Sequence, residues 1–482
     1  MFQAVAVTSE RVTTRRVRRV LMLEFNELTP ALMDEFIADG DLPNFARFRN
    51  ESVCALTDPE AVPPLLNPWV QWVTVHTGVR PEVHHAKKLG ESANVEEPTI
   101  AEVVSAAGRP VWQCSAMNVP VRSSRIRGAA LPDPWSVGAD VVPSELELFG
   151  TFVRTNVQEH TNQDARNGPA DLAKFGWFVT WHGLRPATVR DAIGQLAAER
   201  RGTRSRSARA MVLDRLSWDV FRWYLDDVDP VFASFFSNAT AHFQHHHWRE
   251  HDPSAFELPP TAEALAVNAD MIRSGYRHMD VMLGEAMAMA GDDTALVFCS
   301  ALGQQPYVAG DSYGGTRAHR ARSVGTIHQT LGLDGVTSAV PVMSGEFHLL
   351  CRDDDTARAL ARRLEAATVE GEAAFSVRQH GVDVFAGCSR LDAVDPDARL
   401  RMSGPDVDFR FGDVFYRLES AKSGMHHPDG LLWIRVPGEP PRSIDGRLSL
   451  CAIAPTVLDL LGVEAPPTME HPPVRLAEPH PA

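Results

Sequence analysis

The sequence of 482 residues lacks several features that would mark a secreted, membrane or nucleic-acid-binding protein. Its six cysteines have no paired spacing, which argues against a disulfide framework or a zinc ribbon and favours reduced thiols. No window approaches the roughly 20 consecutive apolar residues of a membrane helix. The first 19 residues contain no apolar stretch followed by a small-residue cleavage site, so they do not resemble a signal peptide.

Positive charge is also scarce, with 47 Lys and Arg against 62 Asp and Glu and a net charge of −15. A chain of this charge has no bulk attraction to nucleic acid or to an anionic membrane. We therefore expect a cytoplasmic protein that acts on a small-molecule substrate, with no nucleic-acid partner and no membrane. Nothing in the sequence indicates its oligomeric state.

What is present is a chain that is 44% hydrophobic, long enough for a large core, in which short apolar runs alternate with helical stretches. The runs are Val20 to Phe25, Val111 to Cys114, Val231 to Phe236, Ala295 to Cys299 and Leu431 to Val436. Fully apolar strands of this kind are typical of a sheet covered by helices on both faces. The pattern predicts an α/β fold with a doubly wound, mostly parallel central sheet.

Two stretches interrupt this alternation and predict insertions into the core. Residues 140–228 are predicted to form a mainly helical cap, and residues 344–415 a small α+β insertion. The core then consists of residues 19–139, 229–343 and 416–466. Residues 1–18 are predicted to be a disordered leader, and the proline-rich residues 467–482 a loose tail.

Polar residues follow three of the apolar runs, where ligands bind in parallel α/β sheets. Glu24, Asn26 and Glu27 end the first run, residues 238–247 follow the Val231 run, and residues 300–305 follow the Ala295 run. We expect these side chains to converge on one site.

Several motifs, in their order along the chain, resemble the alkaline phosphatase superfamily, most nearly its phosphodiesterase and nucleotide pyrophosphatase branch. The motifs are Arg19 to Glu27, Leu42 to Phe48, His76-Thr-Gly-Val-Arg-Pro81 through His84, Ser423-Gly-Met-His-His-Pro-Asp-Gly430, and Ile453 to Gly462. The resemblance implies an alkaline phosphatase-like fold. It also implies two divalent metals bridged by the substrate's phosphate or sulfate, a Thr or Ser nucleophile, and six Asp or His ligands.

Most positions that the resemblance assigns to metal ligands hold residues that cannot bind a metal well. Asn26 and Ala241 each stand where the family has an Asp. The segment Ser300-Ala-Leu-Gly303 stands where the family has Ser-Asp-His-Gly, which removes two further ligands. The resemblance therefore leaves two of the six ligands, His245 and His426, which in the family hold the same metal.

The nucleophile that the resemblance implies is also missing. Residues 63–73, where it should lie, contain no Ser, Thr or Cys, and Asn67 is the nearest polar replacement. A standard two-metal mechanism with a Thr or Ser nucleophile is therefore not expected.

Two chemistries remain open for the surviving histidines. His245 and His426 could hold one divalent ion, zinc or manganese, if a third ligand joins them. Without a metal, they could act as general acid and base while amide groups stabilise negative charge. Candidates for the third ligand are Glu24, Glu27, His242, His246 and His427, and the amide candidates are Asn26, Asn67, Gln71, Gln304 and Gln305.

The predicted catalytic residues are accordingly His245, His426, Asn67 and Asn26. The predicted substrate-binding residues are Glu24, Glu27, Gln71, His242, Gln304, Gln305 and His427. We expect a divergent superfamily enzyme that acts on a small polar or anionic substrate, such as a phosphate or sulfate ester, with at most one metal. The alternatives are a non-catalytic protein that binds a ligand or partner, and an enzyme re-purposed for biosynthetic tailoring.

Overall fold

The computed structural model describes residues 16–136, 138–158, 168–309, 311–313, 315, 318–342, 345–402, 409–418 and 421–476. The predicted leader lies outside the described residues except for residues 16–18. The predicted loose tail is described as far as residue 476, and there Met469, Val474 and Leu476 are buried against the core. This part of the tail is docked, because its apolar side chains leave water by packing on the sheet's helices.

The described strands comprise one large sheet and several small ones. They are β1 Arg19–Phe25, β2 Val53–Asp58, β3 Val111–Cys114, β4 Gly128–Leu131, β5 Phe232–Ser237, β6 Thr294–Ser300, β7 Gly303–Pro306, β8 His319–Ala321, β9 Val336–Pro341, β10 Phe347–Cys351, β11 Thr368–Val369, β12 Glu372–Ala373, β13 Phe375–His380, β14 Asp383–Cys388, β15 Arg399–Arg401, β16 Phe409–Arg410, β17 Phe415–Arg417, β18 Gly424–His427, β19 Gly430–Arg435 and β20 Arg442–Ser449.

The described α-helices range from single turns to 20 residues. They are α1 Pro30–Ala38, α2 Pro43–Asn50, α3 Pro68–Thr77, α4 Pro81–His84, α5 Ile100–Ala106, α6 Glu147–Gln158, α7 Pro169–Trp181, α8 Pro186–Arg200, α9 Arg209–Val228, α10 Ala239–His251, α11 Ala262–Asn268, α12 Met271–Met289, α13 Ile327–Thr330, α14 Asp354–Glu365, α15 Phe411–Val414 and α16 Ile453–Leu461. In the described part of the chain, no helix combines the length and apolarity needed to cross a bilayer.

The central sheet has eight strands in the order β20-β2-β19-β6-β1-β5-β3-β4. All neighbouring pairs are parallel except those of β19, which runs antiparallel to β2 and to β6. The predicted α/β fold with a mostly parallel sheet is therefore confirmed.

Both faces of this sheet are covered, which explains why its strands read as unbroken apolar runs. Along β1, Leu21, Leu23 and Phe25 pack into one hydrophobic cluster, whereas Val20 and Met22 pack into another on the opposite face. The first cluster includes side chains of α1, α2, α9, α10 and α12, and the second includes side chains of α3, α5 and α16. Successive side chains of a strand point to opposite faces, so both sets of alternating positions in β1 are mainly apolar, with the buried Glu24 as an exception.

The two stretches that the sequence predicts to be insertions differ in their packing. The described part of residues 140–228 contains helices α6 to α9, and α9 also packs against the sheet through Trp218 and Phe221. A third hydrophobic cluster runs from Ala321 to Phe415 and surrounds the antiparallel sheet β13-β14-β10-β9. This cluster begins earlier in the chain than residue 344, because Ile327 and Leu331 pack into it.

All six cysteines are described, and none of them forms a disulfide. Four are buried, and two, Cys54 and Cys388, are partly exposed.

Candidate metal centre

Glu27 lies at the carboxyl end of the sheet, two residues after β1 ends at Phe25. Its backbone is left-handed, with φ of 59°, and its side chain is buried. The carboxylate Oε1 accepts a hydrogen bond from Asn26 Nδ2 at 2.9 Å, and Oε2 accepts one from Gln304 Nε2. The Glu27 backbone carbonyl accepts a hydrogen bond from Gln244 Nε2 at 2.6 Å. These contacts hold a carboxylate in one orientation inside the protein.

Two histidines from different elements face the same oxygen of this carboxylate. His245 Nε2, from α10, lies 3.2 Å from Glu27 Oε2, and His426 Nε2, from β18, lies 3.7 Å from it. The two imidazole rings are 5.3 Å apart, centroid to centroid. One ligand atom from each of the three residues lies within 4.8 Å of the others. We call this group the Glu27 centre: Glu27, His245 and His426.

The other nitrogen of each ring is held by a backbone carbonyl. His245 Nδ1 lies 3.1 Å from the carbonyl oxygen of Gly424, and His426 Nδ1 lies 3.0 Å from that of Leu66. A carbonyl can only accept a hydrogen bond, so each Nδ1 carries a proton. In the neutral ring, Nε2 then presents a lone pair toward Glu27. This arrangement is the usual one for metal-binding histidines, whose second N–H is oriented by a backbone carbonyl.

Burial and neighbouring charges shift the pKa values of Glu27 and His426. Burial by itself would raise the pKa of the Glu27 carboxyl. Positive charge on the His245 and His426 rings when they are protonated, and hydrogen bonds from protonated His245 and from Gln304, lower it to about 2. Burial lowers the pKa of His426 to about 4, although Glu27 opposes this shift. At neutral pH, Glu27 is therefore ionised and His426 is neutral. Either a proton on Nε2 or a metal cation between Nε2 and the carboxylate makes each of these two contacts favourable.

A two-stranded antiparallel sheet brings His426 to Glu27. Strands β7 and β18 pair with His426 opposite Gln304, so one candidate ligand and the amide that holds Glu27 lie side by side. Helix α10 is joined to this sheet through the Ser423 amide, which donates to the His245 carbonyl at 2.8 Å. Gly424 sits where an added methyl group would collide with α10 and with Gln304.

The side-chain amide of Asn26, which bonds to Glu27, also bonds to two other residues. Its Oδ1 accepts a hydrogen bond from Trp72 Nε1 at 2.8 Å, and its Nδ2 also donates to Asn238 Oδ1 at 2.7 Å. Both ends of the amide are thus engaged with the protein.

Glu24 lies within β1 and is separate from the Glu27 centre. Its Oε1 lies 2.9 Å from Nε2 of His76 on α3, and both side chains are fully buried. The structure therefore brings Glu27 to the two histidines and leaves Glu24 in a separate buried pair.

The remaining predicted amides lie around the Glu27 centre and bond to backbone carbonyls. Asn67 occupies the position before α3, and its Nδ2 donates to the Pro64 carbonyl at 2.6 Å. Gln71 Nε2 donates to the Leu65 carbonyl at 3.0 Å, and Gln305 Nε2 to the His426 carbonyl at 3.2 Å.

Three other predicted histidines are not part of the three-ligand group. His242 and His246 lie one turn apart on α10, with ring centroids 4.9 Å apart. His427 Nδ1 accepts a hydrogen bond from the Asp429 amide at 3.2 Å, which fixes the turn after β18.

Lys422, which sequence reasoning missed, is a further charged group of this region. Lys422 is partly buried, and its positive charge helps to lower the pKa of His426. Burial lowers the pKa of Lys422 itself, and the negative charge of Glu27 opposes that shift. The available signal was its position four residues before His426, directly before the Ser423-Gly-Met-His motif.

Comparisons with known proteins find distant similarity. No protein-family model and no curated protein sequence matches the chain. Murine ectonucleotide pyrophosphatase/phosphodiesterase 5 is 11% identical over 93% of this chain and 96% of its own, with a TM-score of 0.41. Phosphonoacetate hydrolase from Sinorhizobium meliloti 1021 is 13% identical, with the same coverages and a TM-score of 0.40. The alkaline phosphatase PafA is 11% identical over 96% of this chain and 99% of its own, with a TM-score of 0.45.

Proposed function

We propose that the Glu27 centre binds a single divalent metal ion, zinc or manganese, and that the protein is a hydrolase-like enzyme acting on a small anionic ester. Two imidazoles and one carboxylate are a donor set that such ions accept. The observation that carries the proposal is the convergence of two Nε2 atoms on one carboxylate oxygen, with both Nδ1 atoms held by carbonyls. A divalent ion held there would supply a Lewis acid for the ester and for an attacking water.

The charges around the centre support an anionic substrate. A divalent ion with one carboxylate and two neutral imidazoles leaves a net charge of about +1 at the centre, and Lys422 adds another positive charge nearby. Such a pair of charges favours a phosphate or sulfate ester over a neutral molecule.

The residues of the chain then have distinct tasks. Gln304 and Asn26 hold the carboxylate of Glu27 through its two oxygens. The carbonyls of Gly424 and Leu66 hold the imidazole rings in one tautomer. Lys422 attracts and orients the anionic group of the substrate. The Asn67 amide bonds to the Pro64 carbonyl and provides no nucleophilic oxygen, so water is the nucleophile in this proposal.

A second candidate function is ligand binding without turnover. It is favoured by one observation, the lack of a hydroxyl or thiol in residues 63–73, where the motif resemblance places the nucleophile. In this case the Glu27 centre would bind an anionic ligand and release it unchanged.

The test begins with the metal content of tag-free protein, measured by inductively coupled plasma mass spectrometry after equilibration with zinc or manganese. We expect His245→Ala and His426→Ala each to remove one equivalent of metal. His242→Ala is the matched control, because this histidine lies on the same helix three residues before His245 and outside the Glu27 centre. Full metal content in both ligand variants would refute the proposed centre.

Turnover is tested on the same proteins with a panel of phosphate and sulfate mono- and diesters. We expect hydrolysis that depends on added metal and falls at least about 100-fold in both ligand variants but not in the control. Metal binding without hydrolysis of any ester, together with a ligand recovered unchanged, would establish the second function instead.

A further inference from the structure

We infer that Glu60, Cys451 and His471 form a second metal site, suited to zinc, that ties the C-terminal segment to the loop before α3. One ligand atom from each residue lies within 4.8 Å of the others. We call these three residues the Cys451 cluster. It shares no residue with the Glu27 centre, and it does not depend on the function proposed above.

Three separate parts of the chain contribute to the Cys451 cluster. Glu60 lies in the loop between β2 and α3, Cys451 lies in the short 3-10 turn Leu450–Ala452, and His471 follows α16 in the C-terminal segment. Cys451 is buried, while Glu60 and His471 are partly exposed. Residues so far apart in sequence meet only in the folded chain, so a bound ion would cross-link the fold.

The Glu60 carboxylate is oriented as a ligand would be. Arg80 Nε lies 2.8 Å from Oε2, whereas the other oxygen, Oε1, faces His471 Nε2 at 3.7 Å. The Glu60 amide donates to Asp58 Oδ1 at 2.8 Å, which fixes the left-handed turn at this residue. Metal-binding carboxylates are often held in this way, with one oxygen hydrogen-bonded and the other free for the ion.

The three side chains of the Cys451 cluster favour zinc over other divalent ions. A thiolate, an imidazole and a carboxylate are all common zinc ligands, and the sulfur disfavours magnesium and calcium. Burial raises the pKa of Cys451 to about 11, although Arg80 opposes this shift, so the thiol is protonated at neutral pH. Binding therefore replaces the thiol proton by the metal and releases that proton to solvent. The carboxylate and thiolate charges then balance a divalent ion.

The loop held by the Cys451 cluster also reaches the Glu27 centre. Residues 59–67 include Leu66, whose carbonyl accepts the hydrogen bond from His426 Nδ1. A metal at the Cys451 cluster would limit the movement of this loop and stabilise the docked segment that contains Met469.

Cobalt titration distinguishes the two sites, because only the Cys451 cluster contains sulfur. Cobalt bound to a thiolate gives a sulfur-to-metal charge-transfer absorption in the near ultraviolet. We expect this band in the tag-free wild-type protein and equally in the double variant His245→Ala/His426→Ala. We expect zinc to displace the cobalt and abolish the band.

Variants of the cluster complete the test. Cys451→Ser should abolish the band, and His471→Ala should weaken cobalt binding at least about tenfold. Cys388→Ser is the matched control, since this partly exposed thiol lies in β14 and outside the cluster. Because Cys451 is buried, the melting temperature of its variant is measured first. If that variant does not fold, His471→Ala, whose side chain is partly exposed, decides the outcome.

No charge-transfer band in the wild-type protein would overturn the inference, and so would a band of unchanged strength in a folded Cys451→Ser variant. Loss of metal binding at the Glu27 centre with an intact band would leave this inference standing and refute only the function proposed above.

Discussion

Replacing Glu27 by glutamine tests the Glu27 centre most directly, because it removes one negative charge and leaves the side-chain size almost unchanged. The structure gives the size of the effect. The pKa of Glu27 is lowered from 4.5 to about 2 against the effect of burial, chiefly by the charges of His245 and His426. At about 1.36 kcal/mol per pKa unit, the surrounding groups favour the ionised carboxylate by about 3 kcal/mol.

This shift reflects positive charge on the two imidazole rings. A divalent ion between the rings and the carboxylate would carry at least as much positive charge, so its attraction to Glu27 is at least comparable. About 3 kcal/mol corresponds to a factor of roughly 100 in affinity. We therefore expect Glu27→Gln to bind zinc at least about 100-fold more weakly than the wild-type protein.

The assay is a competition titration with a chromophoric zinc chelator at pH 7. Glu24→Gln is the control, because Glu24 is also a buried glutamate of the first strand but is paired with His76. Both variants and their parent protein also carry His471→Ala, which weakens zinc binding at the Cys451 cluster equally in all three. The reasoning is refuted if Glu27→Gln binds zinc within about threefold of the parent protein, or if Glu24→Gln loses as much affinity as Glu27→Gln.

Three further predictions concern the second layer of the centre and the core. Gln304→Ala removes the amide that holds the carboxylate, and we expect zinc affinity about 10- to 100-fold lower in the same titration. Gly424→Ala places a methyl group against α10, and urea unfolding should show a loss of about 1–3 kcal/mol, whereas Gly194→Ala, which has open space, should show none. Burial lowers the pKa of His84 from 6.5 to about 4. The unfolded chain therefore takes up a proton that the folded chain does not, and the free energy of unfolding should fall between pH 6.5 and pH 4 by up to about 3 kcal/mol. His84→Gln should make that fall shallower, and an equal fall in both proteins would contradict this origin.

The central sheet was predictable from sequence because its chemistry is local. Five of the seven positions of β1 are apolar since both faces of the strand are buried, and this pattern is visible without any tertiary information. The third hydrophobic cluster was harder to delimit. Ile327 and Leu331 belong to this cluster, but in the sequence they look the same as apolar residues of a helix that packs on the central sheet.

The centre was only partly predictable, for a physical reason. His245 and His426 carry motif spacing, but the choice between Glu24 and Glu27 depends on where the strand ends. Glu24 still follows the alternation of β1 and points to His76, whereas Glu27 lies beyond the strand in a left-handed conformation. Lys422 stands directly before the Ser423-Gly-Met-His motif, but only the folded chain shows its charge near the centre.

Three positions where the motif resemblance places further ligands lie in the packed interior. Ala241, Ala301 and Leu302, which stand where the motif resemblance places an Asp, an Asp and a His, are buried in the structure. An aspartate introduced at Ala241 would therefore bring an unpaired charge into the core, and the cost of burying it would exceed any gain from one new ligand. A second metal would need several of these positions to change together. The Glu27 carboxylate is held by neighbours on both oxygens, and we therefore expect the Glu27 centre to bind one ion and not two.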